Sequence, residues 1–161
     1  MKSYFQQRDC RAQRKSAKGF SLIELLIVVA IILIIAAIAI PNFLQAKMAA
    51  HESSAVSSIH AINTAEIQYA SSYPTIGFSA LLTDLGPAGT NYIDAVLASG
   101  AKGGYTFVYL QNTTDNPSDG YTVNVNPTVP GVTGKRYFYS DQQNVTHYNQ
   151  VAPASAADPA L

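Results

Sequence analysis

Cysteine is almost missing from this chain and charge is scarce. The single cysteine, Cys10, falls within the first nineteen residues, so the 142 residues after Gly19 cannot close a disulfide and must hold any fold by packing. Charged residues make up 12% of the sequence and are unevenly spread. Residues 1–19 carry Lys2, Arg8, Arg11, Arg14, Lys15 and Lys18 against Asp9, whereas the remainder has four basic residues against nine acidic ones. Nucleic-acid binding through phosphates needs clustered Lys and Arg, so an acidic remainder argues against it and no specific nucleic acid is expected. No nucleophile motif, phosphate-binding loop or paired-carboxylate pattern occurs, and an enzyme is not expected. His51, His60 and His147 lack zinc-ligand spacing and read as exposed helix and strand residues. Glycine is also absent from Phe20 to Ile76, which removes the commonest cause of a break in a helix.

What fills that glycine-free stretch is first an unbroken apolar run, Leu25 to Ile40, and then Pro41. As a helix rising 1.5 Å per residue, Phe20 to Leu44 reaches about 37 Å, enough for the roughly 30 Å hydrocarbon core of a bilayer. The basic flank before it and the lone Lys47 soon after it place the N-terminus in the cytoplasm and the C-terminal part outside. Pro41 removes the hydrogen bond its N–H would give to the Ala37 carbonyl, which either loosens the helix or marks a membrane boundary. Ala37-Ile38-Ala39 also fits a signal-peptidase site, but the length of the run, Glu24 at its start and the helical pattern continuing past Pro41 count against a soluble secreted protein.

From Asn42 to Tyr73 the pattern becomes amphipathic, with Met48, Val56, Ile59, Ile62, Tyr69 and Tyr73 on one stripe and Lys47, Glu52 and Ser57 among the polar positions. Pro74 ends the helix. A glycine-rich connector to Gly104 holds two short predicted helices, Ser79–Leu85 and Tyr92–Ser99. Alternating aromatic and β-branched residues then predict strands around Tyr105–Tyr109, Tyr121–Val125 and Tyr137–Tyr139, with a fourth at Val145–Tyr148. The expected fold class is α+β, a long N-terminal helix on a small antiparallel sheet. Its segments are a basic leader 1–19, a hydrophobic helix 20–44, a globular part 45–148 and a flexible Ala- and Pro-rich tail 149–161.

Lys18-Gly19-Phe20-Ser21-Leu22-Ile23-Glu24 followed by the apolar run resembles the N-terminus of type IV pilins and of type II secretion pseudopilins. The resemblance is close over residues 18–44 and elsewhere concerns layout alone. It implies cleavage by a prepilin peptidase between Gly19 and Phe20, removal of the leader, N-methylation of Phe20, and a pilin-like fold. It further implies a homo-oligomeric helical fibre, an assembly ATPase and a platform membrane protein as partners, and storage of the precursor in the inner membrane before a periplasmic or cell-surface fibre forms. Independently of the family, a carboxylate within a membrane helix costs about 2.5–3.5 kcal/mol on insertion scales and calls for a partner. The resemblance supplies that partner as the amine of Phe20, which exists only after cleavage and which Glu24 would meet between neighbouring subunits, and Glu24 and Pro41 are the expected assembly residues.

The expected function is a structural subunit of a type IV pilus-like fibre. The alternatives are the major pseudopilin of a type II secretion system and a minor tip pilin that binds DNA or an adhesion target. Asp115, Asn116 and Asp119 before Gly120 put oxygen ligands in one turn, and Asp141 stands in the last loop; the spacing is not that of an EF-hand, and Asx-rich turns commonly hold no metal. Calcium is the one cofactor these residues suggest, and otherwise none is expected.

Overall fold

A computed structural model describes residues 19–114 and 117–161. The basic residues of the leader, Cys10, Asp115 and Asn116 lie outside the described residues. The chain divides into two compact units, residues 1–39 and 40–161. Helix α1 runs from Leu22 to Ser72, with Pro41 inside it. Pro74 has no N–H to extend the ladder, and the helix closes with the Tyr73 N–H on the Tyr69 carbonyl, followed by a turn that ends at Gly77. Gly77 has φ +82°, and a side chain there would overlap the Ser118 backbone, which binds the segment through Phe78 N–H to Ser118 O and Ser118 N–H to Ile76 O.

In the second unit the described strands form one antiparallel sheet in chain order, β1 Ala101–Lys102, β2 Tyr105–Gln111, β3 Tyr121–Pro127, β4 Tyr137–Asp141 and β5 His147–Asn149. This is the expected α+β arrangement. Alternation sends Tyr105 and Phe107 of β2 and Tyr121, Val123 and Val125 of β3 inward, against Ala55, Ile59, Ile62 and Ala65 of α1. Register pairs Val125 with Phe138, so β4 turns Phe138 and Ser140 inward and leaves Tyr137 and Tyr139 on the outer face. Leu82, Leu85, Ile93 and Leu97 from the connector close the end of the core. The two predicted connector helices shrink to a 3₁₀ turn, Leu82–Leu85, and a four-residue α2, Ala95–Ala98. Asp94 caps α2 by accepting from Val96 N–H and Leu97 N–H, and it also binds Lys102 Nζ at 2.7 Å.

The buried stripe of α1 corrects the predicted one. Met48, Ile59 and Ile62 are buried, but Tyr73 is exposed, and Glu52, expected on the polar face, is buried. Glu52, Asn63 and Glu66 share the three- and four-residue spacing of the apolar positions and face the same way. Each is satisfied by a group distant in sequence. Glu52 accepts from the Lys135 and Arg136 N–H groups and from Arg136 Nε at 2.7 Å. Asn63 donates to Ser140 Oγ and accepts from the Tyr121 hydroxyl, both at 2.9 Å. Glu66, fully buried, accepts from the N–H and hydroxyl of Ser79, whose carbonyl accepts from Tyr109. Three polar pins thus fix the helix to the β3–β4 connection, to the sheet centre and to the connector.

The segment after β5 folds back onto the sheet. Tyr148 N–H donates to Pro159 O, Leu161 N–H donates to Thr146 O, and Ala154 is buried. Asp158 organises the turn by accepting from Ser155 and Asn149. An Ala- and Pro-rich composition does not disclose such docking, which rests on backbone groups and on one carboxylate.

The two buried glutamates titrate in opposite senses. Burial resists ionisation of Glu52, but its hydrogen bonds from Lys135 and Arg136 and the Arg136 charge together outweigh that and lower its pKa. For Glu66 burial dominates, the Ser79 hydrogen bonds only partly offset it, and the pKa is raised. Above the ordinary glutamate value of 4.5 the folded chain therefore holds the Glu66 proton more tightly than the unfolded chain does. The stabilisation from neutral Glu66 is complete below that value and is lost as pH rises through the raised pKa; that from ionised Glu52 is complete above 4.5 and is lost as pH falls through the lowered pKa. Glu66→Gln should gain stability relative to the parent as pH rises from 4 towards 8 in urea titrations, whereas a difference independent of pH would show that Glu66 does not titrate differently on folding. Asn63→Leu, which strands the Tyr121 hydroxyl and Ser140, should cost about 1–3 kcal/mol in the same assay. A loss under about 0.5 kcal/mol would mean that this pin contributes no net stability.

Candidate functional site

The first unit, as described, is the start of α1. Gly19 and Phe20 precede the helix and are exposed, and nothing lies within 4 Å of where a side chain on Gly19 would begin. Ser21 occupies the N-cap position. Its carbonyl accepts from Leu25 N–H at 3.3 Å, and its own N–H donates to Glu24 Oε2 at 2.8 Å. That reciprocal contact is half of a capping box, spelled in sequence as Ser21-x-x-Glu24. The signal is present in the sequence, and a reading that treats Glu24 only as a misplaced membrane charge passes over it. Glu24 is exposed in the first turn, where the helix dipole also favours a negative charge.

Every large apolar side chain from Phe20 to Leu44 is exposed, Phe20 and Leu22 by 76% and 80%. Leu22, Leu25, Leu26, Val29 and Leu33 line a shallow apolar groove at helical spacing on one side. Covering a large apolar side chain is worth about 1.5–3 kcal/mol, so a stretch of this length gains tens of kcal/mol from lipid or from other helices. The helix is long and apolar enough to cross a membrane, and its most apolar window is entirely unburied. Pro41 belongs to the second unit and is exposed.

The other singled-out residues belong to the second unit. Asp119 Oδ1 accepts from Asn112 Nδ2 at 3.0 Å. Its proposed companions Asp115 and Asn116 are outside the described residues, and among the described residues no three His, Cys, Asp or Glu side chains converge. Asp141 closes its own loop by accepting from Gln143 N–H at 2.9 Å. His60 is exposed, His51 and His147 are half-buried, and His147 Nδ1 lies 2.6 Å from the Asp158 carbonyl.

The family profile described as "Prokaryotic N-terminal methylation motif" matches residues 14–40. The chain is 53% identical over 49 residues to the type IV major pilin protein PilA of Myxococcus xanthus, covering 30% of this chain and 22% of that one. It is 60% identical over 38 residues to the type IV wide pilus major component PilA4 of Thermus thermophilus, covering 24% and 29%, and 53% identical over 51 residues to a fimbrial protein of Pseudomonas aeruginosa, covering 32% and 33%. The matches thus span from about a fifth to a third of those relatives' lengths. No solved structure matches the chain.

If the Glu24 contact caps the helix, Glu24→Ala should speed amide exchange at Ser21 several-fold in micelles while Glu24→Gln, which keeps an acceptor, changes it less. Equal exchange in all three proteins would mean that the contact does not protect the first turn. Through residues 14–40 the chain resembles the type IV pilin family, whose N-terminal methylation motif it carries.

Proposed function

We propose that this chain is a structural subunit of a type IV pilus, made as a membrane-anchored precursor. The observation that carries the reading is the unburied apolar helix within and just beyond the residues that match the methylation motif. A surface of that kind needs either lipid or copies of itself, and a fibre core of packed helices supplies the second environment. In this reading a prepilin peptidase cuts between Gly19 and Phe20, where the lack of a side chain on Gly19 leaves the peptide bond unobstructed. The new amine of Phe20 is methylated and gives Glu24 a positive partner, on the same chain or a neighbour, in place of the Ser21 N–H. The precursor rests in the inner membrane with its N-terminus in the cytoplasm, and an assembly ATPase and platform protein draw it into the fibre. Pro41 relaxes the helix where it enters the core. The chain acts by assembly rather than by catalysis. Named pilus components among the relatives favour a pilus over a secretion pseudopilus.

Mass spectrometry of the mature protein should find methylated Phe20 at its N-terminus, and Gly19→Val should leave the leader attached. Release at Ala39 would instead make the chain a soluble secreted protein. Deletion of the gene should abolish surface filaments and leave protein secretion intact; the opposite pattern would assign the chain to a secretion pseudopilus.

A further inference from the structure

We propose that the cavity at the Gly120 end of the sheet binds a neutral saccharide. Its volume is about 380 Å³, at the small end of the range for small-molecule sites. Leu110, Thr122 and Tyr139 reach it from β2, β3 and β4, and Asn112, Asp141 and Gln142 from the adjoining loops and strand end. Leu110, Thr122 and Asp141 share one row across the sheet, and Tyr139 stands in the next row, on the same outer face, opposite Asn124. An added side chain at Gly120 would come within 3.3 Å of Gln142 Oε1 and 3.6 Å of Asn112 Cβ, so glycine lets the two amides close over the floor.

The lining selects the ligand class. Among the described residues no lysine or arginine borders the cavity, which argues against a phosphate or another anion. Among the described residues Asp141 is the only carboxylate in its lining, too few oxygen charges for a divalent cation site. The Asn112 amide is engaged by Asp119 and Thr114, but the Gln142 amide, the Thr122 and Tyr139 hydroxyls and the Asp141 carboxylate offer donors and acceptors together, which is what a ligand bearing many hydroxyls needs. The Tyr139 ring and Leu110 supply apolar surface for the C–H face of a sugar ring. Asp141 is more than nine-tenths buried. Its Oδ1 is held by Gln143 N–H, while among the described residues Oδ2 meets the Tyr139 hydroxyl at 3.4 Å, leaving a fixed acceptor with capacity to spare. The Tyr139 ring is braced by His147, directly opposite on β5, at 6.1 Å between centroids. The site lies wholly in the second unit and does not depend on fibre assembly.

Saturation-transfer NMR on the full chain tests this in lauryldimethylamine oxide, a detergent without a sugar headgroup, using glucose, galactose, N-acetylglucosamine, N-acetylgalactosamine and lactose. At least one should show protein-dependent transfer to its ring protons, with a dissociation constant on the order of 1 mM. The signal should fall at least fivefold in Tyr139→Ala, Asp141→Asn and Gln142→Ala, and stay unchanged in Lys102→Ala. Gln142 is exposed, so its replacement leaves the fold intact and keeps the test valid if another variant unfolds. Absence of transfer from all five sugars at about 10 mM, or equal transfer in Gln142→Ala and the parent, overturns the proposal.

Discussion

Apolar surface without cover is the constraint on which the rest depends. From Leu22 to Leu44 α1 offers water nothing but hydrocarbon beyond its first turn, apart from the polar side chain of Asn42. The gain on covering that surface exceeds the 5–15 kcal/mol by which whole domains are usually stable. Such a segment takes its environment from outside the chain. A bilayer and a bundle of like helices are the two environments that fit, and the methylation motif that spans the start of the segment is what links them in the reading advanced above.

The second unit solves a different problem. With no cysteine after Cys10, it cannot be stapled, and its short strands and long connector need fixing to the helix by other means. Apolar contacts at Ala55, Ile59, Ile62 and Ala65 supply attraction but little direction. Glu52, Asn63 and Glu66 supply direction: each is a buried polar group that a shifted register would leave unpaired. They differ in electrical state, one glutamate being held ionised by Arg136 and the other pushed towards its neutral form among Ser79 and the tyrosines.

Much of this was legible from residue order. The apolar run, the glycine-free helix and the alternating Tyr, Phe and Val strands are local signals, and each appears where its period places it. Partners remote in sequence were not legible. Glu52 looks like a surface residue until Arg136 arrives from eighty-four positions away. Ser79 gives no hint that it answers Glu66. The docked tail rests on backbone hydrogen bonds, which no side-chain pattern encodes. At the N-terminal site the reverse holds: Ser21-x-x-Glu24 states its cap openly, because both partners lie within one turn.

Electron cryo-microscopy of filaments sheared from the cell surface tests the central claim most directly. The account predicts filaments in which this chain, beginning at Phe20, packs residues 20–44 against the same residues of neighbouring copies. Filaments that lack the chain, or that carry it with this helix exposed at the surface, would contradict it.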